Sequence, residues 1–125
     1  MSLEFDNNVP IYLQIVEQLE IDIISGKLKP GERLPSVREL ALQTKVNPNT
    51  MQKSLVELEE LKLVYTERTN GKYVTNDSKL IDKYKKKYAD NLTKKYFINM
   101  ESLGFKKDEL INYLNEIEGD KKWNY

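Results

Sequence analysis

The 125-residue sequence contains neither cysteine nor histidine. Without them it can form no disulfide, and it cannot supply the sulfur and imidazole ligands of ordinary zinc sites. No nucleophile–base pair and no glycine-rich phosphate loop can be recognised among the remaining residues. The sequence therefore predicts no metal site, no cofactor and no catalytic centre, and an enzyme is the least favoured class.

Long apolar runs and an excess of one charge are missing as well. No apolar segment approaches the length of a membrane span, and the first residues, MSLEFDNN, lack the features of a secretory signal, so we expect a cytoplasmic protein. Lysine plus arginine number 20, as do aspartate plus glutamate, which is unusual for a protein that binds nucleic acid. Between Lys27 and Lys53, however, six basic residues face two acidic ones, a local charge of +4.

The spacing of apolar residues predicts five helices, over residues 10–25, 36–44, 48–61, 79–103 and 107–117. Residues that favour strands flank Thr69-Asn70-Gly71, a strong turn signal, and predict a hairpin after the third helix. Arg33-Leu34 is a candidate for a further short strand. The expected fold is mainly α with a small β-hairpin: a winged helix-turn-helix domain over residues 1–75, then a helical dimerisation extension over residues 76–125.

The second and third predicted helices are separated by residues 45–47 only. Ser36 and Asn47 are their expected N-caps, and Pro48 suits a first turn that needs no N–H donor. A tight helix pair of this kind can place its second helix in the major groove of DNA. Such pairs also occur in other helical domains, but a hairpin directly afterwards has the position of a wing and favours DNA binding.

Short polar side chains near the start of the third helix can reach base edges while the rest of the helix stays packed. The candidates are Asn47, Asn49, Thr50 and Gln52. Asparagine and glutamine pair bidentately with adenine, and a threonine methyl can touch a thymine methyl, so A·T pairs are expected in the target. In the alternative interpretation these residues only cap the helix and cover it with polar groups.

Cations flank these candidates on both sides. Arg38 offers a forked donor to phosphate or guanine, unless it is merely an exposed charge beside Glu39. The predicted wing tip comprises Arg68, Thr69, Asn70, Gly71 and Lys72. It can enter the minor groove or touch phosphate, although an ordinary surface hairpin would look similar.

The extension carries more apolar surface than two helices can bury alone. Its candidate dimer-contact residues are Ile81, Tyr84, Tyr88, Leu92, Tyr96, Met100, Leu110 and Leu114. A second copy would cover them and would place two recognition helices roughly 34 Å apart, although the same stripe could instead cover the winged domain. Aromatic residues here, with Trp123, could also bind an apolar or cationic small-molecule effector, or could simply pack.

Three segments together resemble the winged N-terminal domain of the GntR family of bacterial transcription regulators. They are GKLKPGERLPSVRELA at 26–41, VNPNTMQKSLVELEEL at 46–61 and TNGKYV at 69–74. The similarity runs from residue 10 to residue 74 and is specific in order and spacing. It implies contacts with phosphates and bases for Ser36, Arg38, Asn47, Asn49, Thr50, Gln52, Lys53 and the wing around Gly71.

The VNPNT segment resembles the YtrA-type subfamily, whose members carry a short two-helix extension for dimerisation and often repress neighbouring transporter operons. Pro48 and Gln52 stand where many family members have arginine, so short amides are expected to read the bases. The resemblance implies a sequence-specific DNA-binding regulator, a repressor that binds a palindromic operator as a homodimer. The alternative is a winged-helix module for protein–protein interaction that does not bind DNA.

Overall fold

A computed structural model describes the backbone of residues 3–120 and the side chains of residues 3–118. Its elements, in chain order, are α1 (Ile11–Ile24), α2 (Val37–Thr44), α3 (Pro48–Glu60), β1 (Val64–Glu67), β2 (Gly71–Val74), α4 (Ser78–Ser102) and α5 (Lys107–Asp120). The predicted mainly α fold with a small hairpin is confirmed. None of the helices within residues 3–120 is both long and apolar enough to cross a bilayer. Trp123 lies outside the described residues.

Local sequence signals account for the ends of the first three helices. The Ser36 hydroxyl accepts the Glu39 N–H at 3.1 Å and donates to the Glu39 carboxylate, which closes the N-terminus of α2. Lys45 then turns the chain in a left-handed conformation with φ of 56°. The Asn47 side chain accepts the Asn49 N–H at 2.8 Å, and Pro48 occupies the first turn of α3. The predicted helix-turn-helix is thus confirmed.

One hydrophobic core joins α1, α2, α3 and the hairpin. Its fully buried side chains include Ile15, Leu19, Ile23, Met51, Leu55, Leu58, Leu63 and Val74. A polar contact reinforces the packing of α1 on α3, because the hydroxyl oxygen of buried Ser54 lies 3.1 Å from the carbonyl oxygens of both Tyr12 and Thr50, which share its single proton. The buried Ser54 hydroxyl therefore has a hydrogen-bond acceptor within the protein.

The hairpin pairs Val64 with Val74 and closes through a three-residue loop, residues 68–70, before Gly71 at φ of 102°. Residues 31–34 run along the other side of β2. Their backbone makes three hydrogen bonds of 2.8–2.9 Å to β2, and Arg33 forms a bridge with Tyr73. The expected strand at Arg33-Leu34 is shortened to this single bridge, because Pro35 has no N–H and α2 is capped directly afterwards.

The chain divides into two compact units, and the division falls within α4 after Lys85. In the first unit the start of α4 completes the core, where Ile81 is 8% exposed and Leu80 and Tyr84 pack against it. The second unit contains the rest of α4 and all of α5. Of its described side chains, Leu110 alone is buried. The functional boundary after residue 75 stays a prediction.

Replacement of Lys62 by glycine should stabilise the first unit. Lys62 follows α3 with φ of 64°, a left-handed conformation that costs a residue with a Cβ about 1–2 kcal/mol. Lys62→Gly should raise the free energy of unfolding by about 0.5–1 kcal/mol, since relief of this cost outweighs the greater freedom of glycine in the unfolded chain. Urea titration measures the change. The matched control, Lys83→Gly at an exposed position in the second turn of α4, should lose up to about 1 kcal/mol, and equal losses in both variants would contradict the interpretation.

Candidate nucleic-acid interface

The first turns of α3 present a polar surface to solvent. The side chains of Asn49 and Gln52 are exposed, and that of Thr50 is half-buried. Lys53 is also exposed, but its ammonium lies 3.9 Å from the centre of the Tyr12 ring on α1. This cation–π contact holds the Lys53 ammonium between α3 and α1, so the side chain is not free to move in solvent.

Two of the predicted contact residues also hold the helices in place. Ser36 and Asn47 each use a side-chain oxygen to cap a helix. The Asn47 oxygen is therefore engaged, while its amide nitrogen retains two donors. Asn47 caps α3 and is also exposed at the N-terminus of that helix. A ligand bound there would therefore contact a residue that fixes the position of α3.

Arg38 lies on the same side of the domain as the start of α3. Its side chain is exposed and, together with Lys45 and Pro48, lines one surface groove. Leu42, 74% exposed, borders the same groove. The structure thus brings the α2 cation, a cation of the turn and the beginning of α3 together at one groove.

The wing tip is divided between exposed residues and one anchored residue. Arg68, Thr69, Asn70 and Gly71 are exposed. Lys72 is different: its ammonium forms an ion pair with Glu59 near the end of α3 and donates to the Thr66 hydroxyl at 3.0 Å. Lys72 therefore attaches the wing to the recognition helix, and much of its charge is neutralised by Glu59.

The same network changes the acidity of Glu59. Partial burial acts to raise the pKa of the Glu59 carboxyl, but hydrogen bonds from Lys72 and Thr66, with the nearby positive charge of Lys72, outweigh burial and hold the pKa below its ordinary value of 4.5. The carboxylate is consequently ionised at neutral pH, so the ion pair to the wing is intact there.

Arg33 was not among the predicted contact residues, yet the structure places it beside the wing. Its bridge to Tyr73 puts it on the outward face of the hairpin, where Tyr65 and Tyr73 stack with their ring centres 5.7 Å apart. The available sequence signal was a basic residue in the extended segment before Leu34-Pro35. Only the pairing of that segment with β2 reveals that Arg33 and the wing are neighbours.

The predicted dimer-contact residues occupy different environments. Ile81 belongs to the core of the first unit, and Leu110 is buried within the second, so neither side chain is accessible to a partner in this conformation. Tyr84 packs partly against the first core. By contrast, Leu92 is 66% and Leu114 50% exposed. Tyr88, Tyr96 and Met100 are half-buried.

An apolar groove lies between α4 and α5 in the second unit. It is lined by Leu92, Thr93, Tyr96, Phe97, Lys107, Leu110, Ile111 and Leu114. The Tyr96 hydroxyl is buried and has no hydrogen-bond partner among the described residues. Leu92, Tyr96, Leu110 and Leu114, predicted from two separate helices, are thus brought together at one groove.

The family model described as bacterial regulatory proteins, gntR family, matches residues 11–74. Among curated proteins, the chain is similar to the HTH-type transcriptional regulator YhcF of Bacillus subtilis, with 39% identity over 89% of this chain and 92% of that protein. It is also similar to the HTH-type transcriptional repressor YtrA of Bacillus subtilis, with 35% identity over 93% of this chain and 90% of YtrA.

Solved structures show the same similarity. A GntR family transcriptional regulator from Listeria monocytogenes has 39% identity and a TM-score of 0.81, covering 90% of this chain and 98% of its own. The DNA-binding domain of AraR, in complex with operator ORX1, has 26% identity and a TM-score of 0.55, covering 60% of this chain and 95% of its own. The resemblance to GntR and YtrA-type regulators predicted from the sequence is confirmed, and the related proteins are transcriptional regulators, not enzymes.

The link between Glu59 and Lys72 should make stability depend on pH. A carboxyl whose pKa is lowered by folding stabilises the folded state above its unfolded pKa, and that stabilisation disappears as the pH falls through the folded value. Glu59→Gln should therefore lower the free energy of unfolding at pH 7, and the difference from the unmodified protein should shrink progressively below pH 4.5. Denaturant titrations across pH measure this. Glu60→Gln, at the exposed neighbouring position, is the control, and a difference for Glu59→Gln that is constant with pH would refute the role of the ion pair.

Proposed function

The chain belongs to the GntR family of bacterial regulatory proteins, and we propose that it is a repressor that binds a palindromic operator as a homodimer. The observation that carries the proposal is the surface formed by the start of α3, Arg38 and the wing. It combines exposed amides, which can read bases, with flanking cations, which can hold phosphates. The operator complex formed by the related AraR domain supports DNA as the ligand of this surface.

In the proposed complex the amides of Asn49 and Gln52 read bases in the major groove. Both side chains are exposed, and both can donate to and accept from adenine in the bidentate geometry that distinguishes an A·T pair. Arg38 binds phosphate or guanine from the preceding helix. The remaining proposed contacts come from Ser36, Asn47, Thr50, Lys53 and the wing loop with Gly71.

The Lys72 charge contributes less to DNA binding in this proposal than its position at the wing suggests. Its ammonium is already paired with Glu59, so contact with a phosphate would require that pair to break. Lys72 instead holds the wing at a fixed distance from α3. The exposed Arg68 then supplies the cation of the loop itself.

The small hydrophobic core of the second unit supports dimerisation through this unit. With Leu110 as its one buried described side chain, a unit of two helices has too little apolar contact to be stable alone. We infer that a second copy covers the groove between α4 and α5 and buries Leu92 and Leu114. Two-fold symmetry then leads to a palindromic site, with recognition helices roughly 34 Å apart on one face of the duplex.

Repression is supported by the similarity to YtrA, a protein named as a repressor, because the two proteins align over about nine-tenths of each chain. A dimer that fills two successive turns of the major groove blocks other proteins from the same DNA. The resemblance to YtrA-type regulators extends the proposal to a transporter operon as the regulated genes.

Loss of single contacts should weaken operator binding. With a duplex selected by the unmodified protein from random sequences, Arg38→Ala and Asn49→Ala should each lose about 1–3 kcal/mol per half-site, or about 5- to 150-fold in affinity for each half-site, because each removes a contact to base or phosphate. Gel-shift titration measures the loss. Asn115→Ala, at an exposed position of α5, is the matched control and should bind normally. Unchanged affinity in both test variants would exclude this surface as the DNA-binding site.

A charge placed in the proposed dimer contact should produce monomers. Leu92 is 66% exposed, so Leu92→Glu should leave the fold of one chain intact while burying an unpaired carboxylate in the dimer. Sedimentation velocity should show the mass of one chain at concentrations where the unmodified protein is dimeric. Leu42→Glu, the same change at a 74% exposed position of the first unit, should remain dimeric. A persistent Leu92→Glu dimer would place the interface elsewhere.

A further inference from the structure

We propose that Arg33 is a DNA-contacting residue of the wing, whose guanidinium binds a backbone phosphate beside the groove that the wing loop enters. The proposal deepens the function proposed above and rests on DNA binding by the wing. It adds a contact from a segment that precedes α2 and lies 35–37 residues before the hairpin loop in sequence. Three features of the structure lead to it.

The first feature is the rigid attachment of the Arg33 backbone to β2. The Gly31 N–H donates to the Val74 carbonyl at 2.9 Å, the Val74 N–H donates to the Glu32 carbonyl at 2.8 Å, and the Leu34 N–H donates to the Lys72 carbonyl at 2.8 Å. These hydrogen bonds surround the bridge between Arg33 and Tyr73. Arg33 is therefore fixed relative to the wing, as a residue of a third strand would be.

The second feature is the direction of the side chain. A Cβ at position 71 would lie 3.4 Å from Nε and 3.5 Å from Nη2 of Arg33, so the guanidinium reaches the turn of the hairpin. Gly71 has no side chain to block it there. The N–H donors of the Arg33 guanidinium thus lie at the part of the wing that comes nearest to a bound duplex in the proposed complex.

The third feature is the charge that remains available. Lys72 is engaged by Glu59 on the inner side of the wing, whereas Arg33 is exposed on the outer side. Glu67 pairs with Gly71 across the hairpin and is the nearest acidic candidate by register. Among the side chains of residues 3–118, however, no carboxylate oxygen lies within 4 Å of the Arg33 guanidinium. Its charge is free for an anion.

Arginine suits this position because a guanidinium presents several N–H donors in one plane and can bind a phosphate through two of them. A phosphate contact has a characteristic thermodynamic signature. Each phosphate neutralised by a cation releases condensed counterions, which contributes about 0.9 to the slope of log affinity against log salt concentration. A residue that only packs the wing in place leaves this slope unchanged.

The experiment measures affinity for the selected operator from 50 to 200 mM salt. Arg33→Gln removes one cation from each wing of the proposed dimer and should lower the slope by about 1.8, so that its affinity weakens about 12-fold less than that of the unmodified protein over this range. Arg33→Lys, which keeps the charge, should retain the slope. Lys83→Gln removes an exposed cation of α4 and should also retain it. Urea titration of each variant verifies that the fold is intact.

The outcomes separate the two proposals. An unchanged slope for Arg33→Gln, with or without a loss of stability, would overturn the phosphate contact and make Arg33 a packing residue of the wing. Absence of salt-sensitive duplex binding by the unmodified protein would instead overturn the proposed function, whatever Arg33 does. A lowered slope for Arg33→Gln combined with a normal slope for Arg33→Lys and Lys83→Gln would establish the contact.

Discussion

The burial of one stripe of α3 against α1 determines what the rest of α3 can do. Met51, Leu55 and Leu58 are fully buried, and the Ser54 hydroxyl is tied to the Tyr12 carbonyl of α1. With this stripe fixed inward, the helical period turns Asn49 and Gln52 outward at the same end. Rotation of α3 would expose the buried stripe and leave Ser54 without its partner on α1. The proposed reading surface is therefore a consequence of core packing.

Charges in the first unit divide into those that build the surface and those that remain for a ligand. Glu59 and Lys72 connect α3 to the wing, and Lys53 lies over the Tyr12 ring. The cations in these contacts, Lys72 and Lys53, are both among the residues that the sequence predicts to bind DNA. Arg38 and Arg33 keep exposed guanidinium groups in two different segments. A protein with no net charge can thus present a positive surface, because its acidic residues neutralise selected cations and leave others free.

The second unit differs from the first because it has much exposed apolar surface and a small hydrophobic core. Leu110 is buried, but Leu92, Ile111 and Leu114 remain at least half exposed around one groove. The buried Tyr96 hydroxyl also lacks a partner among the described residues. Unsatisfied apolar area and an unsatisfied polar atom in one small unit are the conditions under which association with a second copy gains most free energy.

The sequence by itself determined the elements and the family, because caps, turns and apolar periodicity are local signals. Ser36, Asn47 and Pro48 marked the helix ends correctly, and the hairpin and both helices of the extension were found. The tertiary structure alone decided which side chains are available: Lys72 is neutralised, Ile81 lies in the core, and Arg33 reaches the wing. Each of these contacts joins residues that are distant in sequence or lie on opposite faces of an element. No local pattern encodes such a pairing, since it depends on how the elements pack.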